Sequence, residues 1–379
     1  MTVTVTVTVQ GRPLQQAYVS HFDFFRIPQT RFFRTGDDGR AEIAGVTGTT
    51  KVRVHCQNPV VRVLDGAFPV PVEVSQEFTV SDEDTITINT AAQQRDHFRV
   101  LQQCQEVYDT VWRQFSPFNR PGRRRFPFGS GDTIAQTRDR LPRIELVYPD
   151  TGVAPLAWVE PSSLGTGFPL IHVKDRSLDD RLFGTDSVRP SLIAHELSHA
   201  LHFAVMPATA RALIETQYLA WITSRVSAGL PPFHNTTAST TKFVAWIEAL
   251  GLFGERFFTF ATTRDPLQSG QTLRQNFFRD ELSLEPDLAD LLGGYVQAGR
   301  RSGTGVEARI TGDDVEGAVY GAVFLDLARR VGLREMVGRY LNSGPVNVST
   351  FDDFSNLLLA DPDMDFTDDV LAVRATWSL

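Results

Sequence analysis

The sequence has little cysteine, no long apolar run and no excess of positive charge. Its two cysteines, Cys56 and Cys104, fit no thiolate metal motif or catalytic cysteine signature, and one pair cannot build a disulfide scaffold. No apolar stretch approaches the roughly 18 residues that a membrane-spanning helix requires. The formal net charge of −8 argues against nucleic acid as a general partner. We therefore expect two inert thiols and a chain that binds neither nucleic acid nor membrane.

The start of the chain does not have the pattern expected of a secretory signal. The residues MTVTVTVTVQ contain no basic segment and no apolar core of the kind that a signal peptide has. We expect a cytoplasmic protein, with export by another route or a signal trimmed from the sequence as alternatives. The 379 residues are enough for two domains, and 42% hydrophobic with 22% charged residues is typical of a globular protein. No pattern indicates the oligomeric state.

The first 90 residues predict strands and turns. Thr and Val alternate strictly over residues 2–9, which is typical of a half-buried strand. Four further short β-like segments follow between Gly, Pro and Asp residues: AEIAGV, TKVRVHC, PVEVSQEFTV and DTITIN. This spacing favours a small antiparallel β-sandwich over residues 1–90.

Two segments of this region resemble the carboxypeptidase regulatory-like domain, a prealbumin-type β-sandwich. They are VTVQGRPLQQAYVS and TGDDGRAEIAGV, and the matching positions are Gly11, Pro13, Leu14, Ala17, Val19, Thr35, Asp38, Gly39 and Ala41. The resemblance implies a domain that supports folding or binding and carries no chemistry.

Beyond a linker near residue 90, the pattern changes to mixed helix and strand. Apolar residues at helical spacing predict a helix from residue 93 to 115, with Phe98, Leu101, Val107, Val111 and Phe115 on one face. Three strand-like segments follow, RIELVY, APLAWVEP and FPLIHVKD, and we expect the last to be an edge strand. Residues beyond Pro207 predict mostly helix, including a helix over DDVEGAVYGAVFLDLARRVG that Glu316 opens.

The segment SLIAHELSHALHF, residues 191–203, carries the strongest chemical signal. On a helix, His195 and His199 lie one turn apart on one face and can reach the same ion. Glu196 lies off that axis, where it can contact a water without binding the metal. The surrounding residues are uncharged, and polar groups in such a helix are costly to bury without partners. The segment therefore predicts a metal site with a neighbouring general base.

This segment and the strands before it resemble the zincin metallopeptidases over about residues 95–205. The resemblance implies a catalytic zinc held by His195 and His199, with Glu196 as general base. The metzincin branch is excluded, because its glycine and third histidine are replaced by His202 and Val205. His202 lies a further turn along the helix, and we interpret it as a packing or supporting residue.

A third ligand is expected on a later helix, as in gluzincins, and two glutamates compete for the role. We prefer Glu248 in WIEALGLF, whose helical neighbours are apolar or small and whose Gly251 indicates close approach to another element. This segment loosely resembles the third-ligand segment of gluzincins, although Ala249 replaces a glycine and Leu252 replaces an acidic residue. Glu215, sixteen residues after His199, remains the rival.

The gluzincin resemblance also implies a donor for the oxyanion that forms on the attacked carbonyl. Tyr320 and His234 are the candidates. The complete prediction is an α+β protein: a β-sandwich over 1–90, then a zincin-like metallopeptidase over 91–379, divided into a sheet and active-site-helix part (91–206) and a helical part (207–379).

The predicted activity is zinc-dependent hydrolysis of peptide bonds by an endopeptidase acting on proteins or peptides laid along FPLIHVKD. A zinc hydrolase acting on another substrate is one alternative. The other is a non-catalytic binding protein, in which the sandwich recognises a partner and the HELSH helix holds a structural or silent metal.

Overall fold

The computed structural model contains several β-sheets and several helices, so the chain is a mixed α and β protein. It divides into two compact units. Unit one comprises Met1–Tyr108, Arg125–Trp158 and Leu170–Val188, and unit two comprises Asp109–Arg124, Val159–Pro169 and Arg189–Leu379. The residues that the structure describes are 2–22, 31–44, 46, 48–66, 70–79, 85–109, 144–150, 157–160, 169–174, 190–205, 208–230, 239–241, 244, 246–251, 253–254, 314–316, 323–324, 326–327, 330–331, 351–360 and 365–377.

The first sheet of unit one is built around the Thr/Val repeat. Strand β1 (Thr2–Val9) pairs antiparallel with β2 (Arg12–Pro13) and β5 (Arg40–Ala44), as the hydrophobic alternation predicts. It also pairs in parallel with β9 (Thr85–Asn89), which departs from the antiparallel arrangement expected from the sequence. The threonines of β1 point away from the core, and its valines are all buried: Val3, Val5, Val7 and Val9.

The second sheet is antiparallel and has the order β4-β3-β6-β8. Its strands are β3 (Tyr18–Phe22), β4 (Arg31–Arg34), β6 (Thr49–His55) and β8 (Glu73–Thr79). Strands β6 and β8 coincide with predicted segments, whereas β3 and β4 carry weaker alternation and were not predicted.

The third sheet joins the beginning of the chain to its middle. It has the order β11-β12-β10-β7, with β7 (Val61–Asp65), β10 (Ile144–Asp150), β11 (Ala157–Val159) and β12 (Leu170–Lys174). Strand β10 pairs in parallel with both β7 and β12. The predicted boundary between residues 90 and 91 therefore falls within unit one. The third sheet contains strands from before this boundary and from after it.

The expectation that FPLIHVKD forms an edge strand is wrong. Strand β12 lies between β11 and β10, so both of its edges carry a paired strand. Its backbone groups are used by these neighbours and are not available for an added peptide strand. The local sequence gave no warning, because alternation reports which face of a strand is buried and not which strands flank it.

Helix α1 (Ala91–Val107) coincides with the first predicted helix and packs against β7 and β1. Phe98, Leu101 and Val107 are buried as predicted, while Val111 and Phe115 lie outside the described residues. Cys56 and Cys104 are both buried free thiols. Burial raises the pKa of Cys104 to about 12, which agrees with the expectation of inert cysteines.

Unit two contains α2 (Pro190–Val205), α3 (Ala208–Ser227), α4 (Phe351–Leu359) and α5 (Thr367–Trp377). Among its described residues is also a short antiparallel pair, β13 (Ser239–Thr241) with β14 (Asp314–Glu316). The expectation that Glu316 opens a helix is therefore wrong, because this residue ends a strand. No helix among the described residues is long and apolar enough to cross a membrane.

Candidate metal centre

Helix α2 carries the two predicted histidines one turn apart, with their rings in an edge-to-face arrangement. It is buried almost all round, and its apolar residues anchor it on several sides: Ile193, Ala194, Leu197, Ala200 and Phe203. The ring centroids of His195 and His199 lie 4.7 Å apart, and their Nε2 atoms are 3.1 Å apart. The predicted helix thus brings two imidazole nitrogens to one point.

Glu248 completes this group. Its Oε2 lies 3.1 Å from His195 Nε2 and its Oε1 lies 3.3 Å from His199 Nε2. All three side chains are largely buried, with exposed fractions of 12%, 6% and 8% for His195, His199 and Glu248. The three groups offer ligand atoms that all lie within 4.8 Å of one another, an arrangement that could hold a metal ion.

Glu248 reaches the histidines because its own segment approaches α2 very closely. This Glu248 segment is helical at residues 244, 246–251, 253 and 254. A Cβ atom added at Gly251 would lie 2.6 Å from His199 Nε2 and 2.9 Å from His195 Nε2. One added at Gly254 would overlap Ser198 Oγ. The close approach that Gly251 predicted is confirmed, and it is made against the candidate ligands themselves.

Aromatic side chains hold the opposite face of the Glu248 segment. Trp246 is 1% exposed and packs against Phe324, Phe351 and Phe354, with ring centroids 5.9, 6.1 and 5.5 Å away. Such ring pairs stabilise a core beyond the effect of area alone. The segment is therefore fixed on one side by this aromatic core and on the other by the glycine contact with α2.

Glu196 is 7% exposed and follows His195 directly on α2. Burial raises the pKa of Tyr218 on α3 well above its usual value, and the negative charges of Glu248 and then of Glu196 raise it further. The pKa of His202 falls to about 3, first because of burial and then because of His199. His202 is thus a neutral buried residue, in keeping with its interpretation as a packing residue.

The other predicted site residues divide into two groups. Glu215 lies on α3 and is not part of the three-residue ligand group found among the described residues. Tyr320 and His234 lie outside the described residues, so their role as oxyanion donors stays a prediction. Tyr218 was not among the predicted site residues, and only its electrostatic interaction with Glu248 and Glu196 relates it to them.

A second polar cluster has the connectivity of a serine–histidine–acid triad. On the second sheet, Ser20 Oγ lies 2.7 Å from His55 Nε2, and His55 Nδ1 lies 3.5 Å from Glu73 Oε2. Burial lowers the pKa of His55, while Glu73 raises it and Arg53 lowers it less. Ser20 is only 3% exposed, so a substrate has no access to its hydroxyl. We interpret this cluster as a cross-strand hydrogen-bond network.

No family model, curated protein or solved structure matches this chain significantly. The interpretation of the site therefore depends on its own residues and their geometry.

Proposed function

We propose that this protein is a zinc-dependent metallopeptidase of gluzincin-like type, in which His195, His199 and Glu248 hold the metal. The observation that carries the proposal is the convergence of two imidazole nitrogens and one carboxylate at a buried point. Two histidines and one carboxylate are the protein ligands of several catalytic zinc sites, in which a fourth position stays open for water.

The spacing of the three groups fits one tetrahedral ion. Ligands at about 2.0–2.1 Å from such an ion stand about 3.3–3.4 Å from one another. The two histidine Nε2 atoms, 3.1 Å apart, lie close to this value, and the carboxylate approaches them through two oxygens, Oε2 at 3.1 Å from His195 and Oε1 at 3.3 Å from His199. Without an ion, two imidazoles and a carboxylate at these distances share too few protons to satisfy every contact by hydrogen bonding. Oxygen and nitrogen donors in this ratio suit zinc better than calcium or magnesium.

The chain's own residues then supply the rest of the chemistry. Zinc, when bound, lowers the pKa of water and polarises a carbonyl. Glu196 accepts a proton from the attacking water and passes it to the departing amine, a transfer that a positioned carboxylate accelerates by roughly 10²–10⁴-fold. Its burial beside His195 keeps bulk water from competing for that proton. The assignment of peptide as substrate rests on the likeness of HELSH and its flanks to zincins.

The finer architecture belongs to the same proposal. We propose that residues 1–90 form a regulatory-like β-sandwich, supported by the alternating burial of β1 and β6. The zincin-like part is supported by the HExxH helix and by the order of strands and helix along the chain. Peptide binding along β12 is withdrawn, since that strand is paired on both sides.

Metal content and peptidase activity test this function. Purified protein is expected to bind one zinc ion per chain, and His195→Ala or His199→Ala to lose it. Glu196→Gln is expected to keep the zinc and to cleave an unstructured protein substrate at least about 10²-fold more slowly. Equal cleavage by wild type and Glu196→Gln would refute catalysis. Zinc binding with no cleavage of peptides by either protein would favour the binding-protein alternative.

A further inference from the structure

Helix α3 has two faces that differ in what they contact. Its inner face carries Ile214, which is 4% exposed and packs in a buried apolar cluster with Phe203 and Ile247. Two further residues of this face, Tyr218 and Trp221, pack against each other with ring centroids 5.5 Å apart. Positions 214, 218 and 221 are separated by four and three residues, so they lie along one side of the helix. This side holds α3 in place within unit two.

The opposite face of α3 is exposed, although most of its residues are apolar. We call it the outer face, and seven residues form it: Ala212, Leu213, Thr216, Leu219, Ala220, Thr223 and Val226. Its larger side chains keep about half of their surface in contact with solvent, since Leu213, Leu219 and Val226 are 45%, 43% and 56% exposed. Among the described residues of α3 from 212 to 227, no exposed one is charged. The exposed face of a helix is ordinarily polar or charged, and a contiguous apolar face indicates an interaction surface.

The two threonines of the outer face add to its apolar character. Thr216 Oγ1 donates a hydrogen bond to the carbonyl oxygen of Ala212, and Thr223 Oγ1 donates one to that of Leu219, both at 2.8 Å. A hydroxyl that is bonded within its own helix does not need a partner from another molecule. Burying it therefore avoids the cost of an unsatisfied donor, and its methyl group remains available for packing.

The spacing of five of these residues is that of a helix that pairs with another helix. Ala212, Thr216, Leu219, Thr223 and Val226 are separated by four, three, four and three residues. This alternation is the a/d spacing of a coiled coil, which keeps the same line of side chains facing a partner helix. The line extends over about 21 Å of the helix axis. The outer face therefore suits a second helix rather than a rounded surface.

The outer face is also complementary to a second copy of itself. In an antiparallel pair centred between Leu219 and Thr223, Leu219 of each copy lies opposite Thr223 of the other, and Val226 lies opposite Thr216. Each larger residue then meets a smaller one, so that the two rows can interdigitate. A face without charge brings no like charges together, and a twofold dimer uses the same face on both copies. A membrane surface fits less well, because the polar face of an interfacial helix is rich in Lys and Arg, whereas the inner face of α3 is packed within unit two.

We propose that the outer face of α3 is a dimer interface, at which two copies of this chain pair their α3 helices antiparallel with Leu219 opposite Thr223. The paired line is short, so the buried area lies at the low end for specific interfaces, below about 1,200 Å² in total. The dimer is therefore in reversible equilibrium with the monomer. This proposal goes beyond the peptidase function and does not depend on the metal centre.

The oligomeric state of the full chain in solution tests the proposal. In sedimentation velocity at about 1–100 μM, where a weak interface of this size associates, wild type is expected to shift from the mass of one chain toward that of two. Leu219→Lys places two ammonium groups near the twofold axis and is expected to raise the dissociation constant by about 10-fold or more. The matched control is Leu371→Lys on α5, at a leucine that is 52% exposed, and it is expected to dimerise like wild type.

Two outcomes would overturn the proposal. Wild type that stays monomeric over this concentration range would show that the outer face is not covered by a second copy. A dimer that Leu219→Lys and Leu371→Lys leave equally tight would show that the copies associate through another surface.

A mixture of two variants tests the antiparallel register. Thr223→Glu introduces a carboxylate at the position that faces the ammonium group introduced by Leu219→Lys in the other copy. Mixing the two proteins is expected to give a dimer at least about 10-fold tighter than either variant forms alone, because opposite charges then face each other across the interface. A mixture that associates no more tightly than the separate variants would refute the antiparallel pairing, since a loss of association that came only from misfolding could not be restored by mixing.

Discussion

At the scale of single residues, Gly251 leaves no room for a side chain beside the candidate ligands. It lies one turn beyond Glu248, and its backbone occupies the space where a side chain would meet both imidazoles. This arrangement explains why a residue that weakens helices stands inside a helical segment. The glycine allows the carboxylate and the two histidines to approach one another from two different elements.

We predict that Gly251→Ala lowers zinc affinity by about 10-fold or more. The added methyl group would stand within 2.6–2.9 Å of the Nε2 atoms of His199 and His195, so that the rings or the segment must move. A displacement of a few tenths of an ångström is enough to disturb ligand geometry, which tolerates only about 0.2 Å. Chelator competition measures the affinity.

Gly254→Ala is the matched control for this prediction. Its methyl group would meet Ser198 and the carbonyl oxygen of Ala194. None of its three nearest atoms belongs to a candidate ligand. We expect it to lower the free energy of unfolding, with a smaller effect on zinc affinity than Gly251→Ala. Equal zinc affinity in wild type and Gly251→Ala would contradict the interpretation of the contact.

His202 gives a prediction for pH. Its pKa is about 3 in the folded protein and about 6.5 when unfolded, so between these values the unfolded state binds the additional proton. Stability is therefore lost as pH falls from about 6.5 toward 3. At pH 5 the loss from this residue is about 2 kcal/mol relative to neutral pH.

The measurement is urea unfolding of zinc-free protein at pH 7 and pH 5, for wild type and His202→Gln. The variant is expected to lose about 2 kcal/mol less than wild type between the two pH values. Comparing the two proteins removes the contributions to the pH dependence that do not involve His202. An identical pH dependence in both would show that His202 does not carry this effect.

At the scale of elements, the ends of β10 and β12 hold a buried charged group. Lys174 is 6% exposed, and its Nζ lies 3.9 Å from Asp150 Oδ2. Asp150 Oδ1 also lies 3.5 Å from His172 Nδ1, and His172 stacks on Trp158 at 4.5 Å. A buried lysine is tolerated when a carboxylate compensates its charge, so these two strand ends depend on each other.

We predict that Asp150→Asn destabilises the protein by about 2 kcal/mol or more, because it leaves the Lys174 charge buried without its carboxylate. Adding Lys174→Met is expected to restore part of this loss, since the double variant buries no charge at this position. Chemical denaturation of both variants measures the difference. A double variant no more stable than Asp150→Asn would contradict this account of the strand ends.

The elements themselves could be predicted well where their pattern is local. Thr/Val alternation located β1, and helical spacing located α1 and α2, because each pattern reports a buried face within the element. The neighbours of each strand could not be predicted. Strand β7 and the internal position of β12 depend on pairing with segments far away in sequence, and nothing in a strand's own residues specifies those partners.

The same distinction holds for the candidate site. His195, Glu196 and His199 share one helix, so their spacing in the sequence was sufficient to predict that they lie close together. Glu248 comes from 49 positions beyond His199 and was preferred over Glu215 only through its apolar neighbours and Gly251.

At the scale of the whole molecule, unit one does not separate at residue 90. Strand β7 lies on the earlier side and pairs with β10 on the later side, and Arg62 of β7 contacts Glu145 of β10 through a charged hydrogen bond. Helix α1 also packs against β1 and β7. Residues 91–379 on their own would lack the surfaces that cover these elements.

We predict that a fragment of residues 91–379 does not fold cooperatively. It would expose the edge of β10 that β7 covers and the apolar face of α1, and unpaired edges and apolar faces promote aggregation. Analytical gel filtration and thermal unfolding of the fragment, with the full chain as control, measure this. A monomeric fragment that unfolds in one sharp transition would contradict the prediction.

Two of the parallel strand pairs, β1 with β9 and β7 with β10, can form only after the later strand has been synthesised. Arg62 meets a residue 83 positions later in the chain, and Thr8 accepts a hydrogen bond from one 82 positions later. A ribosome adding about 5–20 residues per second releases those later partners several seconds after the earlier strands. The Thr/Val strand β1 therefore keeps one edge unpaired until β9 has been synthesised. Binding of this edge by a chaperone during that interval would favour a high yield of native protein.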